Sequence, residues 1–275
     1  MALKSTLFGI LLLLCSVASG QRLGIAYYDV DKLYDTISSP FYDDTAYTPT
    51  GRLRWNTERY QHSITQIATV IDSMAMPITA LFGVENSAVV KDITATSCQD
   101  YSYLHRTLNT LNGMDFALLY YGDRFFPDKT DSGLGWLRID GTLDGTEVTI
   151  ILCNHHARYI GEVLAECREC TPQRRLLVLG RIGALDPARY GLHDTQAKAT
   201  SAGRGNAHYR SGWRMVDHIL VDTAYQASGG DVYARWWLFN TQTGKPLPIF
   251  QKEGYRGGFS SKLPVFTYLF PFFAH

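Results

Sequence analysis

The sequence predicts a mixed α/β (α+β) architecture, with helices covering sheets that hold both parallel and antiparallel strands. Three observations lead there. Residues 55–74 carry Ile64, Ile67, Ala68 and Ile71 at helical spacing, which marks one apolar helix face. Residues 101–153 instead hold short strand-like segments separated by Gly, Asp and Pro turns, the pattern of neighbouring hairpin strands. Leu176, Leu177, Val178 and Leu179 form an unbroken apolar run that stops at Gly180, as a strand buried on both faces does. Helices interleaved with such strands pack as layers around a shared core.

At the N-terminus, Lys4, the apolar residues 7–14 and the small residues Val17, Ala18, Ser19 and Gly20 have the order of a secretory signal peptide. The apolar run is too short for a membrane span. The reading is therefore residues 1–20 as signal peptide and residues 21–275 as a single exported domain, periplasmic, surface-held or secreted. An apolar content of 45% supplies a full core and argues against disorder. Lys and Arg number 26 against 26 Asp and Glu. So balanced a chain has no overall charge signature for nucleic acid or anionic membrane.

Taken in order, residues 22–28 read as the first strand and residues 38–51 as a polar loop. The helix over 55–74 follows, then a strand over 77–82 and a helix over 87–92. Strands are predicted at 101–106, 116–121, 135–139 and 147–153, and a helix at 161–170 that Thr171 and Pro172 end. Residues 176–179 form the buried strand. Residues 186–208, rich in Gly, Ala and Thr with little periodicity, read as a long surface loop. A strand over 213–221 places Asp217 and His218 on opposite faces, since alternate side chains of a strand point apart. The apolar residues 268–273 read as a last core strand with a packed tail, or else as a docking patch.

Cys98, Cys153, Cys167 and Cys170 remain after the leader. An oxidising compartment permits disulfides, and buried thiols are the alternative. A zinc site would need a second matching pair or suitably spaced histidines, and the sequence offers none.

The run after the buried strand carries the functional puzzle. Ligands of open α/β sheets gather beyond the carboxyl ends of such strands. Arg181 stands there, and a guanidinium neither accepts a proton nor binds a cation. Residues 25–36, 55–86, 113–120, 154–161, 176–184, 213–221 and 255–266, in that order, resemble the endonuclease/exonuclease/phosphatase superfamily, most of all its exported bacterial branch. The resemblance implies the DNase I-like fold, a four-layer sandwich of two packed mixed sheets flanked by helices. It also implies hydrolysis of phosphoesters with a divalent metal, usually Mg²⁺.

Position by position, the resemblance is incomplete. Asp29 stands where the family has asparagine. Gly83 stands where it has its metal-binding glutamate, and Glu85 is the second acid of that motif. Asn154 and His155 match the family's Asn-His pair. Arg181 and Gly183 replace a catalytic aspartate and asparagine, and Ser261 and Lys262 replace an aspartate and histidine. Asp217 matches a retained acid. Acids exchanged for neutral or basic groups would repel Mg²⁺.

Three readings follow. In the first, the chain has lost metal-dependent phosphodiesterase activity and serves as a binding or scaffold protein for an unidentified protein partner or anionic ligand, with no cofactor and no metal. Here His155 and Asp217 are residual catalytic positions, and Asp29, Glu85, Asn154, Arg181 and Lys262 are candidate binding residues. In the second, Asp29, Glu85, His155 and Asp217 form a rebuilt Mg²⁺ site. In the third, Arg181 and Lys262 bind an anion or small ligand through charge-assisted contacts.

Overall fold

The computed structural model describes residues 22–270 except 109, 111, 156, 158 and 253. The proposed leader and residues 271–275 of the C-terminal run lie outside the described residues. Along the chain come β1 (Leu23–Leu33), α1 (Thr57–Met74), β2 (Ile78–Val84), α2 (Ser87–Thr96), β3 (Tyr101–Arg106), β4 (Asp115–Tyr121) and β5 (Phe125–Gly133). Next are β6 (Trp136–Leu143), β7 (Thr146–Cys153), α3 (Ile160–Cys170), β8 (Arg175–Gly180), β9 (Leu192–Asp194), α4 (Ala197–Ser201), β10 (Ala207–Tyr209) and β11 (Gly212–Arg214). The last are β12 (His218–Asp222), β13 (Gln226–Val232), β14 (Phe250–Gln251), β15 (Gly254–Tyr255) and β16 (Val265–Phe270).

Two six-stranded mixed sheets carry the fold, ordered β13-β16-β1-β2-β4-β3 and β5-β6-β7-β8-β12-β9. The period-2 alternation of strand side chains sorts the residues into layers. Ile25 and Tyr27 of β1 face the second sheet and pack with Ile150, Leu177, Leu179 and Ile219. Ala26 and Tyr28 face outward and meet Ile64, Ile67 and Ile71 of α1 and Val89 and Ile93 of α2. On the far side, Ile151, Val178 and Leu220 pack against Val163, Leu164 and Cys167 of α3. The result is a helix–sheet–sheet–helix sandwich, the layering that the resemblance implies. Each fully buried isoleucine or leucine contributes about 1.5–3 kcal/mol to it.

Local chemistry sets the helix ends. Asn56 caps α1 by accepting from the Arg59 N–H at 3.0 Å, and Ala75 closes it in the left-handed region. Asn86 caps α2 through the Ala88 and Val89 N–H groups. Both parallel pairs, β1–β2 and β7–β8, are joined across a helix, α1 in one case and α3 in the other. Parallel strands need such crossovers, and these carry each helix to an outer face.

Several expected boundaries change. The strand expected over 213–221 is two short pieces, β11 and β12, with Asp217 in the break between them. β11 pairs with β10 as a separate hairpin, while β12 joins β8 and β9. The loop expected over 186–208 contains a 3₁₀ turn (Pro187–Tyr190), β9 and α4. These elements are too short for a periodic pattern to show. β5 and β13 are edge strands whose polar, Gly- and Pro-containing sequences hide them, as edge strands often do. The four cysteines are free thiols, Cys153 and Cys167 buried and Cys98 and Cys170 exposed, so the disulfide alternative is not met.

One irregularity shapes the site. β1 bulges between Asp29 and Leu33, with Asp31 at φ 64°. This bulge brings the Asp31 backbone against Gly83, which has φ 93°. A Cβ on Gly83 would lie 2.4 Å from the Asp31 carbonyl oxygen. The backbone of β1 thus occupies the space that a side chain at residue 83 would enter.

Candidate functional site

The carboxyl ends of both parallel pairs open into one cleft of about 370 Å³. Asp29, Asp31 and Lys32 reach it from β1, Phe82 from β2, Asn154 and His155 from the turn after β7, and Arg181 from the end of β8. Ser261 and Lys262 enter from the segment before β16. Tyr47, Met114 and Phe250 supply apolar wall. Six of the seven residues singled out from sequence therefore converge: Asp29, Asn154, His155, Arg181 and Lys262 line the cleft, and Asp217 lies buried behind Arg181.

Lys262 holds the centre. Its Nζ donates to Asp29 Oδ2 at 2.6 Å and to Asp31 Oδ1 at 3.4 Å. The Asp31 carboxylate also accepts from the Ser261 N–H and hydroxyl, both at 2.6 Å. Ser260 fastens the same turn by donating its hydroxyl to the Asp29 carbonyl at 2.7 Å. Burial works against the Lys262 ammonium, but Asp29, Asp31 and Asp217 more than reverse this and hold its pKa above 10.5. Burial pushes the Asp29 carboxyl upward, the Lys262 charge pulls it back, and Asp217 and Asp31 push it up again. The arrangement is one ammonium shared among clustered carboxylates.

Arg181 is answered in the same way. Its Nε lies 4.0 Å from Asp217 Oδ1. The other oxygen, Asp217 Oδ2, accepts from the Asn206 amide at 2.7 Å. Asn206, fully buried, also donates to the Leu263 carbonyl and accepts from the Val216 N–H. It therefore ties the break before β12 to the turn that carries Lys262. His218 points away from this group and pairs with Asp194 at 2.9 Å, so Asp217 and His218 are not a dyad.

Glu85 stands apart from the cleft. It lines a neighbouring pocket with Tyr42, Asn86 and Asp115, and accepts from the Asp35 N–H at 2.6 Å and the Tyr42 hydroxyl at 2.9 Å. A rebuilt metal site from Asp29, Glu85, His155 and Asp217 is not assembled. Sequence reasoning missed Asp31 and Asn206. The Asp29-Val30-Asp31 spacing was the available signal for Asp31, but on a regular strand those two side chains share a face without a bulge to redirect one of them. Nothing in the polar stretch around Asn206 marks it.

The donor set does not suit the family's divalent ion. The oxygens that would hold it are engaged by an ammonium, and residue 83 has no side chain. Among the described residues, no cluster of three or more His, Cys, Asp or Glu has the geometry to hold a metal.

The fold and this cleft define a DNase I-like sandwich with its loops gathered around a central pocket. The model of the endonuclease/exonuclease/phosphatase family matches residues 24–175, more than half of the chain, and the chain belongs to that family. Among curated protein sequences nothing matches. Solved structures share the fold. A family member from Bacteroides thetaiotaomicron is 13% identical with a TM-score of 0.60, over 93% of this chain and 97% of that one. A mannosyl-6-phosphatase from the same species is 13% identical with a TM-score of 0.58, over 90% of this chain and 99% of that one.

Two outcomes test the electrostatics. Lys262→Met leaves Asp29, Asp31 and Asp217 without their shared cation and destabilises the fold by about 3–5 kcal/mol near neutral pH. The loss shrinks toward about pH 5, well below the value of about 7 to which burial pushes Asp29, where that carboxyl is protonated. Urea unfolding at the two pH values measures it.

Glu85 gives the second test. Burial, the largest effect, with the nearby Asp35 charge, raises its pKa from 4.5 to about 7 against the opposing Asp35 N–H and Tyr42 hydrogen bonds. The folded state then binds the proton more tightly than the unfolded one. Stability contributed here is present below pH 4.5 and is lost as pH rises through about 7. Thermal melts across that window show a falling stability in the wild type and a flatter profile in Glu85→Gln.

Proposed function

We propose that this chain is an exported member of its family that has lost metal-dependent phosphoesterase activity and works as a binding or scaffold protein. The observation that carries the reading is the Lys262 ammonium between Asp29 and Asp31, at 2.6 and 3.4 Å. A divalent ion entering there would have to displace a tethered cation already held by those carboxylates. It would gain no glutamate from residue 83 in return. Metal-assisted hydrolysis needs an open coordination position, a polarised phosphoryl oxygen and an activated water, and Arg181 and Lys262 supply no base for the last.

The cleft itself persists. Its walls mix Tyr47, Phe82, Met114 and Phe250 with the amides of Asn112 and Asn154, the composition of a small-molecule or peptide site. The cations that would make it an anion site are balanced by acids, Lys262 by Asp29 and Asp31 and Arg181 by Asp217. This supports recognition through shape and amide contacts over capture of a bare anion. The leader-like residues 1–20 support export.

Purified protein given Mg²⁺ or Mn²⁺ shows no hydrolysis of DNA, RNA or bis(p-nitrophenyl) phosphate above buffer, and calorimetry shows no Mg²⁺ binding at millimolar concentration. Metal-dependent turnover that His155→Ala abolishes contradicts the reading.

A further inference from the structure

The pocket around Glu85 is separate from the charge-balanced cleft, and among the described residues only Thr110 lines both. It encloses about 480 Å³, within the range of small-ligand sites. Phe41, Tyr42, Glu85, Asn86, Thr107 and Asp115 form most of its lining, and among the described residues no Lys, Arg or His lines it. Its two carboxylates differ in their partners. Asp115 is paired with His105 at 3.1 Å and accepts from the Leu108 N–H at 2.8 Å. Glu85 is only 3% exposed, and it accepts from the neutral Asp35 N–H and Tyr42 hydroxyl. Among the described residues it has no ion pair. A buried carboxylate without a counter-ion is costly, and the charges of Asp35 and Asp44 add to that cost.

The wall of the pocket carries an independent observation. Phe41 is 90% exposed, an aromatic ring that lines the same pocket as this acid. A cation over an aromatic ring is favourable by about 0.5–2 kcal/mol. The hydroxyls of Thr107 and Thr110 offer further acceptors. An ammonium with three N–H donors and an alkyl stem matches this set: the donors meet carboxylate and hydroxyl oxygens, and the stem lies along Phe41.

We propose that the Glu85 pocket binds a primary alkylammonium group, with Glu85 as its counter-ion and Phe41 as its aromatic wall. The group belongs either to a free alkylamine or to a lysine side chain of a partner. The site does not depend on the state of the Lys262 cleft, so failure here leaves the reading of the cleft untouched.

Titration of the full chain with n-butylamine at about pH 8, where the amine is charged and Glu85 is ionised, gives saturable binding in the millimolar range by calorimetry or NMR. n-Butanol, of the same shape without the charge, gives none. Glu85→Gln weakens amine binding by about tenfold or more, and Phe41→Ala by about threefold. Phe41 is exposed, so its variant reports on binding even if Glu85→Gln fails to fold. Affinity for Nα-acetyl-lysine amide equal to that for n-butylamine assigns the pocket to a lysine side chain, and preference for n-butylamine assigns it to a free amine. Equal binding of butanol and butylamine, unchanged affinity in Phe41→Ala, or no saturation up to about 50 mM amine overturns the proposal.

Discussion

A lysine ammonium seated between two aspartates at the meeting of two sheets is the contact on which the rest of this site depends. Lys262 satisfies Asp29 and Asp31 together, and its turn is fastened to β1 by Ser260 and Ser261. Without a cation there, carboxylates from β1 and from the break before β12 would repel one another at the floor of the cleft. The chain supplies that neutralising charge from its own lysine.

The apolar layers of the scaffold bury their surface independently of this contact. The inter-sheet core of Ile25, Tyr27, Ile150, Leu177 and Leu179 and the two outer helix layers bury their apolar surface whatever fills the cleft. The bulge at Asp31 shapes both sides of the site. It turns the Asp31 carboxylate toward Ser261 and Lys262, and it presses backbone into the space beside Gly83. The Lys262 pairing and the lack of room for a side chain at residue 83 are therefore linked through one strand irregularity.

Much of the layering was legible in the sequence, because long amphipathic helices and buried strands impose strong periodicities. The helix at 55–74 and the strand at 176–179 lie within two residues of α1 and β8. Edge strands such as β5 and β13 were not legible, since they bury little and alternate poorly. Motif order brought Asp29, Asn154, His155, Arg181, Asp217 and Lys262 to one place, but it could not show their pairing. Arg181 and Lys262 looked like an anion site in the sequence. The structure instead sets each against an aspartate; Asn206, which anchors one of them, carries no sequence signal, and the Asp29-Val30-Asp31 spacing does not show the bulge that turns Asp31 to Lys262. Glu85 sits beside Gly83 in the chain, yet side chains two apart near the end of β2 diverge once the strand ends and α2 begins.

The most direct measurement of the central claim is anomalous diffraction from crystals grown with Mn²⁺. The expected map has no manganese peak among Asp29, Asp31 and Asp217, with Lys262 Nζ still between the first two. A peak coordinated by those carboxylates at about 2.0–2.6 Å, with the lysine turned out of the cleft, would contradict it.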